Sequence, residues 1–307
     1  MATDDATQAQ QLGGRNWMIS GSRIWTIARG TLTQLIRMKT FYFLIAIAFL
    51  LVIVGNLNLQ ASAASQLSMI KKVSFGTMDL FAWLFAIVAT AVLIPRDIED
   101  RTLYTILSKP VLRIEYLLGK LVGVLLVIAI ALIGMFIVFS LIIHARTVAF
   151  AGAELEYLKG AGKPAADIQL EVNAITSQGL RPALGIAVLA IFLKSAVVAS
   201  VTIFLSTFAS SSLFSIIIGM ILYLVGNARE MAMSFWEYES DGSMAVALIS
   251  KVFKILIPDY QLFSFAEGIV LGEKILPHLV WSMAGMSIFY AGFFIALALL
   301  VFYDKEF

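Results

Sequence analysis

LLGKLVGVLLVIAIALIGMFIVFSLII, residues Leu117–Ile143, carries a single charged side chain, Lys120. A bilayer's hydrocarbon core takes roughly 20 mainly apolar residues of helix, and within it the backbone must satisfy its own hydrogen bonds. The run therefore reads as a membrane-spanning helix. Five more runs read the same way: Phe41–Leu59, Val73–Pro95, Ala183–Phe208, Leu213–Ala228 and Leu279–Phe302. Leu213–Ala228 is short on apolar residues, whereas Leu117–Ile143, Ala183–Phe208 and Leu279–Phe302 are long enough to tilt. The expected fold is an all-α integral membrane protein with six transmembrane helices.

Composition points the same way. Of 307 residues, 60% are hydrophobic and 14% charged, with a mean hydropathy of +0.92. A soluble domain is about half apolar and about a quarter charged, so lipid must solvate much of this surface. The net charge of +2 is too small to suggest a nucleic-acid partner. The absence of cysteine excludes disulfides, thiolate metal sites and cysteine nucleophiles. The two histidines, His144 and His278, stand at the ends of apolar runs, so no metal or histidine-based catalytic centre is expected. Residues 1–16 are polar and read as a disordered tail, and the first apolar run begins too late for a secretory signal.

Between that tail and the first span, Trp17–Lys39 has helical periodicity. Ile24, Ile27, Ala28, Leu32, Leu35 and Met38 share one face, and Arg23, Arg29, Thr33 and Arg37 the other. An amphipathic helix with arginines on its wet face, and Trp25 alongside, suits the headgroup region. The alternative is a soluble helix packed on a partner. The chain thus divides into a tail at 1–16, an interfacial helix at 17–40 and a six-helix domain at 41–307, with outward segments near 144–182 and 229–278.

Lysine and arginine flank the spans unevenly. Arg15, Arg23, Arg29, Arg37 and Lys39 precede the first span, and Arg96, Arg101, Lys109, Arg113 and Lys120 follow the second. Only Lys71 and Lys72 lie between those two spans. This bias puts both termini on the cytoplasmic side of a cell membrane.

The connection after the second span is the richest in chemistry. It runs PRDIEDRTLYTILSKPVLRIEYLLGK from Pro95 to Lys120. Asp97, Glu99 and Asp100 suit the first turn of a short helix, where the helix dipole favours negative charge. Ile98, Leu103, Ile106 and Leu107 would give it apolar contacts, and Pro110 would end it. Such a charged helix on the inner face is either a capped, solvated connection or a docking element for a cytosolic partner.

The string Glu99…Arg101-Thr102-Leu103…Leu107-Ser108-Lys109-Pro110-Val111…Arg113…Tyr116-Leu117-Leu118-Gly119-Lys120 resembles the permease subunits of ABC-2 type ABC transporters. Leu205-Ser206-Thr207-Phe208…Ser212 and Ile257-Pro258-Asp259-Tyr260 are fainter echoes. The resemblance implies an amphipathic elbow helix, six spans, and a coupling helix between spans two and three that carries Asp97, Glu99, Asp100, Arg101, Thr102, Leu103 and Leu107. It implies a short inner turn between spans four and five and an outer helical segment before span six. It also implies two copies of a cytosolic ATPase holding ATP and magnesium, and a second permease chain, identical or a sister. The permease would bind no cofactor and would be no enzyme itself. The outer segment at 145–182 is longer than the minimal pattern of that family.

A phosphate-binding loop needs G-x-x-x-x-G-K-[ST]. The nearest string, Gly160-Ala-Gly-Lys-Pro164, has Tyr157 for the first glycine and Pro164 for the hydroxyl, and is rejected. Charges in the spans are weighed singly. Lys194 lies about 24 Å of helix before Ser210 and reads as a snorkelling side chain near the outer interface rather than a transport site. Asp79 reads as a helix-end residue, so Lys194 has no expected mid-span carboxylate. Gly119 and Gly123 form a small-xxx-small step, and Gly219 would pack either within the subunit or at a permease dimer interface. An ion-coupled secondary transporter and a non-transporting scaffold or assembly factor are the competing classes. The cargo is not legible.

Overall fold

The computed structural model describes residues 20–54, 63–100, 111–209, 211–239, 253, 256–264, 268–269 and 277–304. Nine helices are numbered here: α1 (Gly21–Ile36), α2 (Lys39–Val54), α3 (Ala63–Glu99), α4 (Arg113–Gly160), α5 (Ala165–Thr176), α6 (Ala183–Phe208), α7 (Ser212–Asn227), α8 (Arg229–Glu239) and α9 (Pro277–Asp304). A one-turn 3-10 element covers Gln261–Ser264, and no strand occurs among the described residues.

Four helices, α3, α4, α6 and α9, are long and apolar enough to cross a membrane. The pair α1 and α2, bent by 67° at Arg37–Met38, passes the same test as a unit and brings the number to five. This is the character of an all-helical, multi-pass membrane protein. The sequence count of six included α7, but its 16 residues give only about 24 Å of helix against a core of about 30 Å.

Helix α6 is the hub. It is buried along most of its length between α3 and α9 and contributes Ala187, Ala190, Ser195, Ala199, Ser200 and Ser206. Small residues let backbones approach closely where lipid supplies no hydrophobic drive between helices. The core around it takes Phe81, Phe85 and Ile87 from α3, Val124 and Phe139 from α4, and Phe294 and Ala298 from α9. On the far side of α4, Ile130, Ile133, Ile137 and Leu141 form an exposed apolar stripe. Such a stripe needs lipid, not water, as its solvent.

Two helices outrun the runs of hydropathy that announced them. Helix α3 begins at Ala63, ten residues before Val73, and continues through Pro95. Helix α4 does not stop at His144 but reaches Gly160, about 72 Å of helix. The segment AGAELEYLKG is polar but rich in good helix formers, so the helix outlasts its apolar side chains. The segment near 144–182 is therefore largely helical, the end of α4 plus α5.

The stop is built by Gly162, whose φ of +68° only glycine adopts without strain. The Gly162 N–H donates to Lys159 O at 3.2 Å and the Lys163 N–H to Leu158 O at 3.3 Å, which closes a Schellman motif. Gly160-Ala-Gly-Lys-Pro164 is thus a helix stop. Lys163 then pairs with Glu171 of α5 at 3.0 Å, and that carboxylate holds its ammonium above the ordinary range.

Candidate functional site

Two ion pairs, one partly buried and one buried, lie at different levels of the bundle, both using a carboxylate of α3. Asp79 and Asp97 are separated by about 27 Å of helix, close to the thickness of a hydrocarbon core.

At the first level, Lys194 of α6 donates to Asp79 Oδ2 at 3.0 Å. The Lys194 side chain is 11% exposed and that of Asp79 31% exposed, so the pair is reached from the carboxylate side. Tyr223 of α7 closes the group. The Lys194 ammonium lies 5.2 Å from the Tyr223 ring centroid. Trp83, one turn along α3 from Asp79, stacks on Tyr223 at 4.3 Å. Beyond it Tyr223 meets Tyr260 at 5.3 Å, and Gly226 leaves the room that the Tyr260 ring occupies. Asn227 O accepts from Gln261 Nε2 at 2.7 Å, fixing the 3-10 turn to the end of α7. Tyr260 is wholly buried, and burial pushes its phenol well up from its ordinary value.

This corrects the reading of Lys194. Its stem does not extend to water; a carboxylate meets the ammonium inside the bundle. Asp79 is not a helix-end residue either, because α3 extends sixteen residues before it. The missed signal was depth. Asp79 lies as far before Pro95 as Lys194 lies before Ser210, so the two charges share a level if both chain ends lie on one side.

At the second level, Asp97 is buried and takes two donors on Oδ2: Lys120 at 2.6 Å and the Tyr116 hydroxyl at 2.6 Å. Lys120 also donates to Gln34 Oε1 of α1 at 3.3 Å. Tyr116 stacks on Phe302 of α9 at 5.9 Å, and Arg113 bonds to the last carbonyls of α9, Phe302 O and Tyr303 O. Next to these, the fully buried Glu115 accepts from Ser20 N at 2.7 Å, from Leu112 N at 3.0 Å and from Arg23 at 3.4 Å. Its charge thus serves the N-termini of both α1 and α4.

Asp97, expected in the first turn of a separate helix, is therefore in the last turn of α3 and faces inward. The helix runs through Pro95, which cannot donate to the Ala91 carbonyl one turn before it, a break of the kind that helices packed among other helices in a membrane tolerate. Glu99 and Asp100 stand exposed at the end of α3, where Arg96 pairs with Asp100 at 3.5 Å. Arg101, Thr102, Leu103 and Leu107 lie outside the described residues.

The amphipathic helix is α1, with Arg29, Thr33, Arg37 and Trp25 exposed and Arg23 held by Glu115. Its apolar face packs on α4 of the same chain. A Cβ on Gly119 would come within 2.7 Å of Ile27 Cβ, and one on Gly123 within 2.5 Å of Thr31 Cβ. Gly219 also packs inside the chain, where its added Cβ would lie 3.2 Å from Ile87 and 3.3 Å from Thr202. The short turn before α7 is capped by Ser211, whose hydroxyl accepts from Phe214 N at 3.3 Å.

Compared with models of known protein families and with curated proteins, the chain matches none.

Proposed function

We propose that the chain is the membrane-spanning permease subunit of an ABC-2 type transporter, working as an exporter. The observation that carries the reading is the anchoring on both sides of the charged connection at 101–110. Immediately before it, Asp97 is tied to Lys120 and Tyr116; immediately after it, Arg113 and Glu115 are tied to α9 and α1. Displacement of that connection would reach α1, α3, α4 and α9 together, because α1, α3 and α9 are each joined to the start of α4 through a charged side chain. The string from Glu99 to Lys120, the 67° elbow between α1 and α2, the short turn before α7 and the helical pieces before α9 support the same reading.

In this mechanism two cytosolic ATPase chains, holding ATP and magnesium, bind two permease chains at the connection that follows Asp97. Closure of the ATPases moves the connection, and the polar links pass the motion to the spans. Both termini face the cytoplasm, and α7 serves as the sixth transmembrane element.

The test is co-purification of the tagged chain with an ATPase from its native membrane, followed by ATP-driven transport in vesicles. Loss of the ATPase on Glu99→Ala with Leu103→Ala supports the reading. Unchanged transport in that variant, or recovery of the chain with no ATPase under several mild detergents, overturns it.

The Asp79–Lys194 pair favours a second reading, an ion-coupled secondary transporter, since paired ionisable groups within the bundle are the usual equipment of that class. Flux driven by an ion gradient in the absence of ATP would decide for it.

A further inference from the structure

Where α1 turns into α2, a cavity of about 510 Å³ is lined by Gln34, Arg37, Met38, Lys39, Thr40 and Arg96. Three cations from three places meet there: the end of α1, the start of α2 and the end of α3. Arg96 is matched by Asp100 at 3.5 Å. Arg37 and Lys39 both line the cavity, and among the described residues neither has a carboxylate partner. Gln34 is held from behind, its Oε1 accepting from Lys120, which leaves its amide nitrogen for an acceptor in the cavity.

The surface continues in one direction as apolar helix. Phe43, Ala46, Leu50 and Ile53 recur on one exposed face of α2, over about 15 Å starting one turn from Lys39. A ligand suited to both parts carries a negative charge at its head and a hydrocarbon chain behind it.

We infer that the elbow cavity is a binding site for the phosphate of an anionic phospholipid, with its acyl chain along the exposed face of α2. Arg37 and Lys39 bind the phosphodiester, Gln34 and Thr40 supply neutral hydrogen bonds, and the apolar ridge gives an acyl chain contacts that free phosphate cannot make. The site depends only on the chain being in a membrane and stands whether or not an ATPase binds. Its placement suits the cytoplasmic leaflet, where anionic lipids concentrate.

The probes are phosphatidylglycerol and phosphatidylcholine, added to the purified full chain in mild detergent. Retained lipid is read by native mass spectrometry, and affinity by displacement of a fluorescent phosphatidylglycerol. The expected result is at least about tenfold preference for phosphatidylglycerol, falling with ionic strength. Arg37→Ala with Lys39→Ala is expected to abolish the preference, while Arg37→Lys alone and Arg29→Ala, which lies outside the cavity, retain it. Equal retention of both lipids, salt-independent binding to the wild-type chain, or wild-type preference in a monodisperse double variant overturns the inference. Displacement of the lipid by inorganic phosphate at comparable concentration would reassign the cavity to a free anion.

Discussion

The Lys194 ammonium sits 3.0 Å from Asp79 Oδ2, but the two partners are unequally placed, with the lysine side chain 11% exposed and the aspartate 31%. That inequality predicts which half of the pair the fold needs more. Asp79→Ala leaves a buried ammonium without a counter-charge, a loss expected to cost about 3 kcal/mol. Lys194→Met leaves a carboxylate that can still reach solvent, and about 1 kcal/mol is expected. Joining Asp79→Leu to Lys194→Met should recover most of the loss. Thermal unfolding in detergent checks the order. Equal losses from the two single variants would show that the pair is not buried asymmetrically.

The second prediction concerns the seat of α1. Gly119 and Gly123 admit Ile27 and Thr31 so closely that an added Cβ would overlap the β-carbons, not flexible side-chain ends. Gly123→Val should therefore lift α1 from α4, at roughly 1–3 kcal/mol. The natural chain has no cysteine, so one introduced thiol reports cleanly. Ala28 is fully buried on the face of α1 that meets α4, and Ala28→Cys should resist a membrane-impermeant thiol reagent. Combined with Gly123→Val it should become labelled; continued protection would show that α1 is held elsewhere.

These two cases show what one-dimensional reading can reach. Helix α6 was legible to the residue, because Pro182 and the serine-rich string that follows Phe208 bound a mainly apolar run. The apolar face of α1 was legible from its spacing, but its cover was not, since Gly119 and Gly123 belong to a helix far away in sequence. The ends of α3 and α4 were missed because hydropathy marks where lipid ends, not where hydrogen bonding ends. Lys194 and Asp79 were each weighed alone, and a buried charge is explained only by its partner. Asp97 was read as a surface charge for the same reason: Lys120 was counted as a flanking cation, though Asp97, Tyr116 and Lys120 form one buried group.

A third prediction follows from Glu115, which holds the first turn of α1 through Ser20 N and Arg23. Glu115→Ala leaves the Ser20 N–H and the Leu112 N–H without their acceptor, at about 1–3 kcal/mol. The start of α1 should fray, and trypsin should cut at Arg23 faster than in the wild-type chain. Glu115→Gln keeps an acceptor oxygen and should fall between the two. No change in cleavage for Glu115→Ala would mean that packing on Gly119 and Gly123 alone seats the helix.

The last prediction isolates backbone conformation from packing. Nothing lies within 4 Å of a Cβ placed on Gly162, so Gly162→Ala meets no steric neighbour. Its φ of +68° still disfavours an L side chain, by about 1–2 kcal/mol. The cost should be local, because the motif closes only the end of α4 and the turn into α5. Amide hydrogen exchange should quicken at Gly162 and Lys163, whose N–H groups make the two closing bonds to Lys159 and Leu158. Exchange at the buried Val124 and Ile128 should not move. Acceleration there as well would mean that the long outer end of α4 and its membrane portion unfold as one unit, and that the helix stop at Gly162 supports the whole bundle.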